Sequence, residues 1–170
     1  MHKHPLVRLL WCVLGASIGI LLALWVTSPS QMPFVFASLG GTTVFLFGLT
    51  RAPAAQPRAL LGGHLGGAAI GIVCYQVFGD SLPVYALAIV LALCFMLMTR
   101  TVHPPAGANP IIMISMHADW SALLQPVLLG TACLLLVAGL WSRIYPGLVS
   151  YPVSPFEPSP PSLNWGGWSD

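Results

Sequence analysis

Between two long apolar runs the chain carries Thr99-Arg100-Thr101-Val102-His103-Pro104-Pro105-Ala106-Gly107-Ala108-Asn109-Pro110, and no other stretch restricts the fold as severely. Its flanks are hydrophobic enough to belong in a bilayer, where every backbone N–H and C=O needs a partner within the protein. Three prolines remove donors and bar a continuous helix. Irregular polar backbone at membrane depth is tolerated only where protein buries it or where it lines a water-filled cavity. Arg100, His103 and Asn109 are costly in hydrocarbon, and ionisable residues at such depth are functional candidates by default. The stretch therefore reads both as an architectural break and as the working site.

Only 6% of the 170 residues are charged and 56% are hydrophobic, against about a quarter charged in ordinary soluble domains. This predicts an all-α, polytopic transmembrane helix bundle. About six membrane-embedded segments follow one another, at residues 6–26, 34–49, 59–79, 84–98, about 106–116 and 121–140. Two are short or broken: the second, with Gly40, Gly41 and Gly48, and the fifth, with Pro110. The first lacks a small-x-small cleavage site and reads as a signal anchor or an ordinary span. Trp120 and Trp141 bracket the sixth as interface anchors. Residues 1–150 are expected to form a single transmembrane domain. Residues 151–170 read as an extended, disordered Pro/Ser-rich tail, with Trp165 and Trp168 passive. Cys12, Cys74, Cys94 and Cys133 stand apart, without metal or disulfide spacing, and read as buried hydrophobes.

If every segment crosses, Lys3, Arg8, Arg51, Arg58, Arg100 and Arg143 share one side, while Asp80 and Asp119 fall on the other. That asymmetry is the mark of cytoplasmic loops. It places both termini in the cytoplasm and favours a crossing fifth segment over a re-entrant one. The expected home is a bacterial inner membrane. A net charge of +2 excludes nucleic acid as a partner.

A short repeat is visible. Thr50-Arg51 precedes Pro53-Ala54-Ala55-Gln56-Pro57, and Thr99-Arg100 precedes Pro105-Ala106-Gly107-Ala108-Asn109-Pro110. Transporters are often built from repeats whose broken segments meet at a shared site, and this repeat would be parallel. In the third segment Gly62, Gly63, Gly66, Gly67 and Gly71 make a smooth face for close helix approach. Gly15 and Gly19 offer a matching face, and such faces are compatible with a homo-oligomer. His64, set among these glycines, must point at a partner helix or a cavity.

His103-Pro104-Pro105-Ala106-Gly107-Ala108 resembles the signature of the HPP family of integral membrane proteins. Pro53, Gln56-Pro57-Arg58 and Gly62-Gly63-His64 are similar to that family's second block, and Gly40-Gly41 leading to Phe47-Gly48 also fits. The likeness runs over roughly residues 9–143. It departs at Ala59, where the family often has asparagine, and at Asn109, where threonine is frequent. The resemblance implies a small multi-span protein that transports a small inorganic anion, with nitrite as the substrate proposed for chloroplast and cyanobacterial members.

On that reading Arg51, Gln56, Arg58, His64, Arg100, His103 and Asn109 line the substrate site. Pro104, Pro105, Gly107, Gly62, Gly63, Gly66 and Gly67 shape it. Alternatives stand beside each role. Arg51 and Arg100 are either oxyanion ligands or arginines snorkelling at the interface. His103 is a proton relay that couples transport to protons, an anion donor, or a capped turn residue. Gln56 and Asn109 orient a ligand or satisfy broken backbone. His2, His4 and His117 read as interfacial bystanders, His117 with Asp119 as a conceivable outer pair. No nucleophile motif, zinc spacing or phosphate loop occurs, so no enzyme, metal or cofactor is expected. The competing reading is a non-transporting membrane scaffold or sensor subunit.

Overall fold

The computed structural model describes residues 4–27 and 35–167. His2, Lys3, Trp168 and the start of the second segment lie outside the described residues. Proline sets most helix starts. Helix α1 (Pro5–Thr27), α3 (Pro57–Phe78), α4 (Leu82–Thr99) and α5 (Asn109–Ser115) each carry one in the first turn, where the missing N–H has no intrahelical partner to lose. Helix α2 spans Val35–Gly48 and α6 spans Leu129–Ile144. Among the described residues helix is the regular structure and no strand forms, with four helices long and apolar enough to cross a membrane: Pro5–Thr27, Pro57–Phe78, Leu82–Thr99 and Leu123–Ile144. The short pair is α2 and α5, as expected from glycine and proline content. The sixth segment, read as continuous, is interrupted: Gln125 adopts φ −133°, ψ 114° before Pro126. Pro126 cannot donate to the helical ladder, and the α region is crowded for the residue before a proline.

Hydroxyls inside the spans are satisfied locally. Thr27, Thr43 and Thr131 each donate to the carbonyl four residues back, of Ala23, Leu39 and Val127. That removes the penalty of a lone hydroxyl in hydrocarbon.

Helix α3 is the axis of the bundle, its apolar window 44% buried against 17% for α1 and 22% for α4. The broken segment runs beside it in the same direction. A Cβ built on Gly67 would lie 3.0 Å from the Ala106 carbonyl oxygen, and one on Gly71 only 2.7 Å from Pro110 Cα. At these two positions glycine is required because another backbone occupies the space. Gly62 faces Thr101, Gly63 faces the Thr101 carbonyl and His103, and Gly66 faces Phe95 of α4. Gly107 differs, because a Cβ there would meet nothing within 4 Å; packing does not demand it. Gly15 and Gly19 do not answer the glycines of α3. They receive Trp141, Phe47 and Leu134 from α6 and α2. Trp141 is likewise no free interface anchor: it stacks on Trp11 at 4.3 Å between ring centroids and donates to the Trp11 carbonyl. Trp120 remains exposed.

The basic residues gather at one end. Arg8 shares a cleft with Thr50, Ser142 and Tyr151, Arg58 donates to the Thr99 carbonyl, and Arg143 and Arg100 donate to carbonyls of Tyr151 and Pro160. At the other end His117 lies 3.0 Å from Asp80 and stacks on Tyr75. His117 thus pairs with Asp80, while Asp119 accepts from Ser121. The fifth segment starts at buried His103 and ends at His117 beside Asp80.

The expected disordered tail is corrected by the structure. From Tyr151 to Pro161 it folds across the basic end and joins the two corners. Buried Tyr151 donates its hydroxyl to the Ala55 carbonyl, and burial pushes that hydroxyl's pKa up. Val153 and Ser154 donate backbone N–H to Gln56 Oε1, and Arg58 N–H donates to the Pro155 carbonyl. Ser159 pairs with the second corner, accepting from Val102 N–H and donating to the Arg100 carbonyl. Proline-rich composition marks a segment without its own ladder; here the partners lie across the tertiary structure, where composition cannot show them.

Candidate functional site

The repeated corners are alike in three dimensions. In each, the threonine of Thr-Arg donates to the carbonyl four residues back, Thr50 to Leu46 and Thr99 to Phe95, both at 2.7 Å. A 3-10 turn follows, Pro53–Ala55 in one and Pro104–Ala108 in the other. A helix with proline in its first turn then leads back across the bundle. Arg100 closes α4 with φ 54°, ψ 49°, a left-handed conformation that costs a non-glycine residue about 1–3 kcal/mol unless its surroundings hold it. The tail does so, through Ser159 on its carbonyl and the Pro160 and Pro161 carbonyls on its guanidinium.

Inside the corners lies a buried polar network. His103, fully buried, follows α4 in extended conformation, so its ring turns inward while Pro104 and Pro105 start the turn. Its Nδ1 lies 2.6 Å from the Ala54 carbonyl of the first corner. His64, 1% exposed, projects from α3 at the level where Gly63 admits His103. The ring centroids are 5.1 Å apart. Thr42 of α2 stands between them, its Oγ1 2.8 Å from His64 Nε2 and 2.9 Å from His103 Nε2. Gly41 lets Pro105 approach α2 closely enough for this contact. Asn109 completes the group, with Nδ2 3.0 Å from both His64 Nδ1 and the His64 carbonyl. Where the family often has threonine, this chain's asparagine therefore makes its own two bonds.

Hydrogen-bond bookkeeping assigns the protons. The His64 carbonyl can only accept, which orients the Asn109 amide and makes His64 Nδ1 an acceptor; His64 is then the Nε2–H tautomer. The Ala54 carbonyl likewise can only accept, so His103 carries a proton on Nδ1. Asn109 Oδ1 is buried without a hydrogen-bond partner.

The structure therefore brings together His64, His103 and Asn109 from the expected set and adds Thr42, which sequence reasoning missed. The other four are elsewhere. Buried Gln56 spends both ends on backbone, donating to the Thr50 and Ala52 carbonyls and accepting from the tail. Arg58 and Arg100 are bonded to carbonyls at the basic end. Arg51 is exposed there. None of the three arginines enters the network: Arg58 and Arg100 reach nearby carbonyls first, and Arg51 stays exposed, as long side chains at helix ends do. A cleft of about 650 Å³ at this end is lined by Arg8, Trp11, Phe47, Trp141 and Tyr145, with no member of the network; it is a separate feature. Among the described residues no group of His, Cys, Asp and Glu is placed to hold a metal.

A helical bundle whose buried polar groups converge on two broken corners defines an integral membrane protein of the polytopic helical class. The chain belongs to the HPP family: the family's transmembrane region covers residues 1–152. It is similar to two transmembrane proteins of Dictyostelium discoideum. One is 34% identical over 140 residues, covering 75% of this chain and 45% of that protein. The other is 31% identical over 140 residues, covering 75% and 49%. The chain thus spans about half the length of the curated relatives it matches. No solved structure matches it.

Proposed function

We propose that the protein moves a small inorganic anion across a bacterial inner membrane, nitrite being the substrate favoured by the family resemblance. It does so by transport and not by chemistry on a bound substrate, without metal or cofactor. The observation that carries this reading is the network of Thr42, His64, His103 and Asn109. Polar side chains at this depth are costly to bury, and these four converge on one point where the two corners meet. Asn109 Oδ1 supplies an open acceptor, and buried polar atoms are nearly always paired; a donor such as water or a protonated substrate answers it.

The arginines contribute through field. Arg51, Arg58, Arg100 and Arg143 lie together at this end, where the last three bond to carbonyls and, among the described residues, to no carboxylate, which makes the basic end attractive to anions. The positive-inside rule puts that end, with both termini, in the cytoplasm. The face of α2 at Gly40 and Gly48 is open and leaves room for a second copy; light scattering from the detergent-solubilised protein reads the copy number, and a monomer would refute the homo-oligomer.

The deciding experiment is nitrite uptake into liposomes containing only this protein. It is best run at alkaline pH, where the free acid that leaks through lipid is scarce. Uptake faster than in empty vesicles is expected. Uptake equal to theirs would refute transport and leave the non-transporting scaffold or sensor subunit.

A further inference from the structure

Thr42 has one hydroxyl proton and three polar neighbours. Its Oγ1 lies 2.8 Å from the Ser38 carbonyl, 2.8 Å from His64 Nε2 and 2.9 Å from His103 Nε2. His64 donates to it through Nε2–H, since Nδ1 is taken by Asn109. His103 already spends its Nδ1 proton on Ala54. Two arrangements then satisfy the Thr42 hydroxyl and both imidazoles. With His103 neutral, the Thr42 hydroxyl donates to His103 Nε2. With His103 doubly protonated, Nε2–H donates to Thr42 Oγ1, and the hydroxyl turns to the Ser38 carbonyl. The same heavy-atom positions serve both states.

We infer that the Thr42 hydroxyl is a rotary switch that lets His103 accept and release one proton, so that the anion crosses together with a proton and no net charge moves. The inference rests on the transport reading above. The groups facing the His103 ring are Thr42 and Phe45 from α2, the Ala54 carbonyl from the first corner and His64 from α3. Asn109 stands behind His64. Among the described residues no lysine, arginine, aspartate or glutamate hydrogen-bonds to either ring, so no fixed charge in the network balances a lone anion. An arriving weak acid HA donates to Thr42 Oγ1 as the Thr42 hydroxyl proton passes to His103 Nε2, leaving the anion beside an imidazolium. The H–A bond and the old O–H bond break, a new O–H and an N–H bond form, and the renewed Thr42 hydroxyl turns to the Ser38 carbonyl. Release runs the same exchange backwards, and no oxidant or reductant takes part.

The test uses proteoliposomes loaded with a pH-sensitive dye, supplied with nitrite, and held at fixed membrane potentials by potassium and valinomycin. Wild-type protein is expected to move one proton with each nitrite at a rate independent of potential. Thr42→Val keeps the shape but removes the hydroxyl; it should slow protein-dependent flux about tenfold or more, the loss expected for one bond to a charged group. Thr42→Ser restores the hydroxyl and should keep the rate within about threefold of wild type. Nitrite flux that follows potential as a lone anion, without proton movement, overturns the inference and leaves transport standing. So does full proton-linked flux in Thr42→Val. Should Thr42→Val fail to fold, the proton and voltage measurements on wild type decide. Wild-type flux no faster than in empty vesicles refutes the transport reading and the inference with it.

Discussion

Gln56→Met tests whether Gln56 is backbone architecture or part of a ligand site. Methionine keeps the length and apolar volume of the side chain but removes its polar end. Gln56 is fully buried and makes four hydrogen bonds, to the Thr50 and Ala52 carbonyls at 3.0 and 3.2 Å and from the Val153 and Ser154 amides at 3.0 and 3.1 Å. At about 1 kcal/mol net for each, the substitution should cost about 4 kcal/mol. Two of the four bonds hold the tail, so about 2 kcal/mol of that loss falls on tail closure. This is roughly a thirtyfold rise in the open population, at 1.4 kcal/mol per tenfold. Hydrogen exchange at the Val102 and Ser159 amides, which bond across the tail and the second corner, reads the opening, because it tracks the open fraction when closing is fast. Melting in detergent, followed by intrinsic tryptophan fluorescence, reads the whole. Exchange within threefold of wild type together with an unchanged melting temperature would refute the assignment and return Gln56 to the ligand side.

Gly71→Ala puts a Cβ against the backbone of Pro110, at 2.7 Å from Cα and 2.8 Å from its carbonyl oxygen; it should cost about 1–3 kcal/mol. Gly107→Ala meets nothing within 4 Å and should melt within about 0.5 kcal/mol of wild type. Equal effects in the two variants would show that the packing is misread. Hydrogen bonds from His117 and then Tyr85 hold the Asp80 carboxyl below its ordinary pKa. Its stabilising contribution is therefore full above the ordinary carboxylate range and lost as pH falls through the lowered value. The gap in melting temperature between wild type and Asp80→Asn should be small, as suits an exposed, screened pair. It should vanish on acidification; a gap that grows toward low pH would contradict the sign. Single cysteines at His4 and Ser162, in a background without the native four, should both resist an impermeant maleimide applied outside intact cells. Labelling of either places that terminus outside.

Much of the bundle was legible because its strongest constraints are local. Proline removes a donor wherever it stands, so the Thr99–Pro110 break and the short fifth segment followed directly. The two Thr-Arg corners could be paired before their common geometry was visible. Pro126 carried the same signal and was passed over inside an otherwise apolar run. The network was only half legible. His64 and His103 stand out as imidazoles among apolar residues, but a threonine in an apolar helix can always bond back to its own backbone, so nothing in the sequence marks Thr42. The arginines stand outside the network for a related reason: Arg100 finds carbonyls of the tail and Arg58 the Thr99 carbonyl, partners far off in sequence. The order of that tail depends in turn on a glutamine about one hundred positions earlier, a dependence that composition cannot express.

The strap from Tyr151 to Pro161 follows the last span in the chain, yet it supplies partners to backbone and side chains that emerge from the ribosome far earlier. Gln56 Oε1, the Arg58 N–H and the carbonyl of left-handed Arg100 have no final partner when their own helices enter the membrane. The bundle can thread its spans in order, but the lid over its basic end closes only once the segment from Tyr151 to Pro161 has been made. A nascent chain halted before residue 150 is consequently inserted and still unfinished, with polar backbone on display at both corners. That difference between a threaded chain and a closed one is a signal that membrane proteases and chaperones can read.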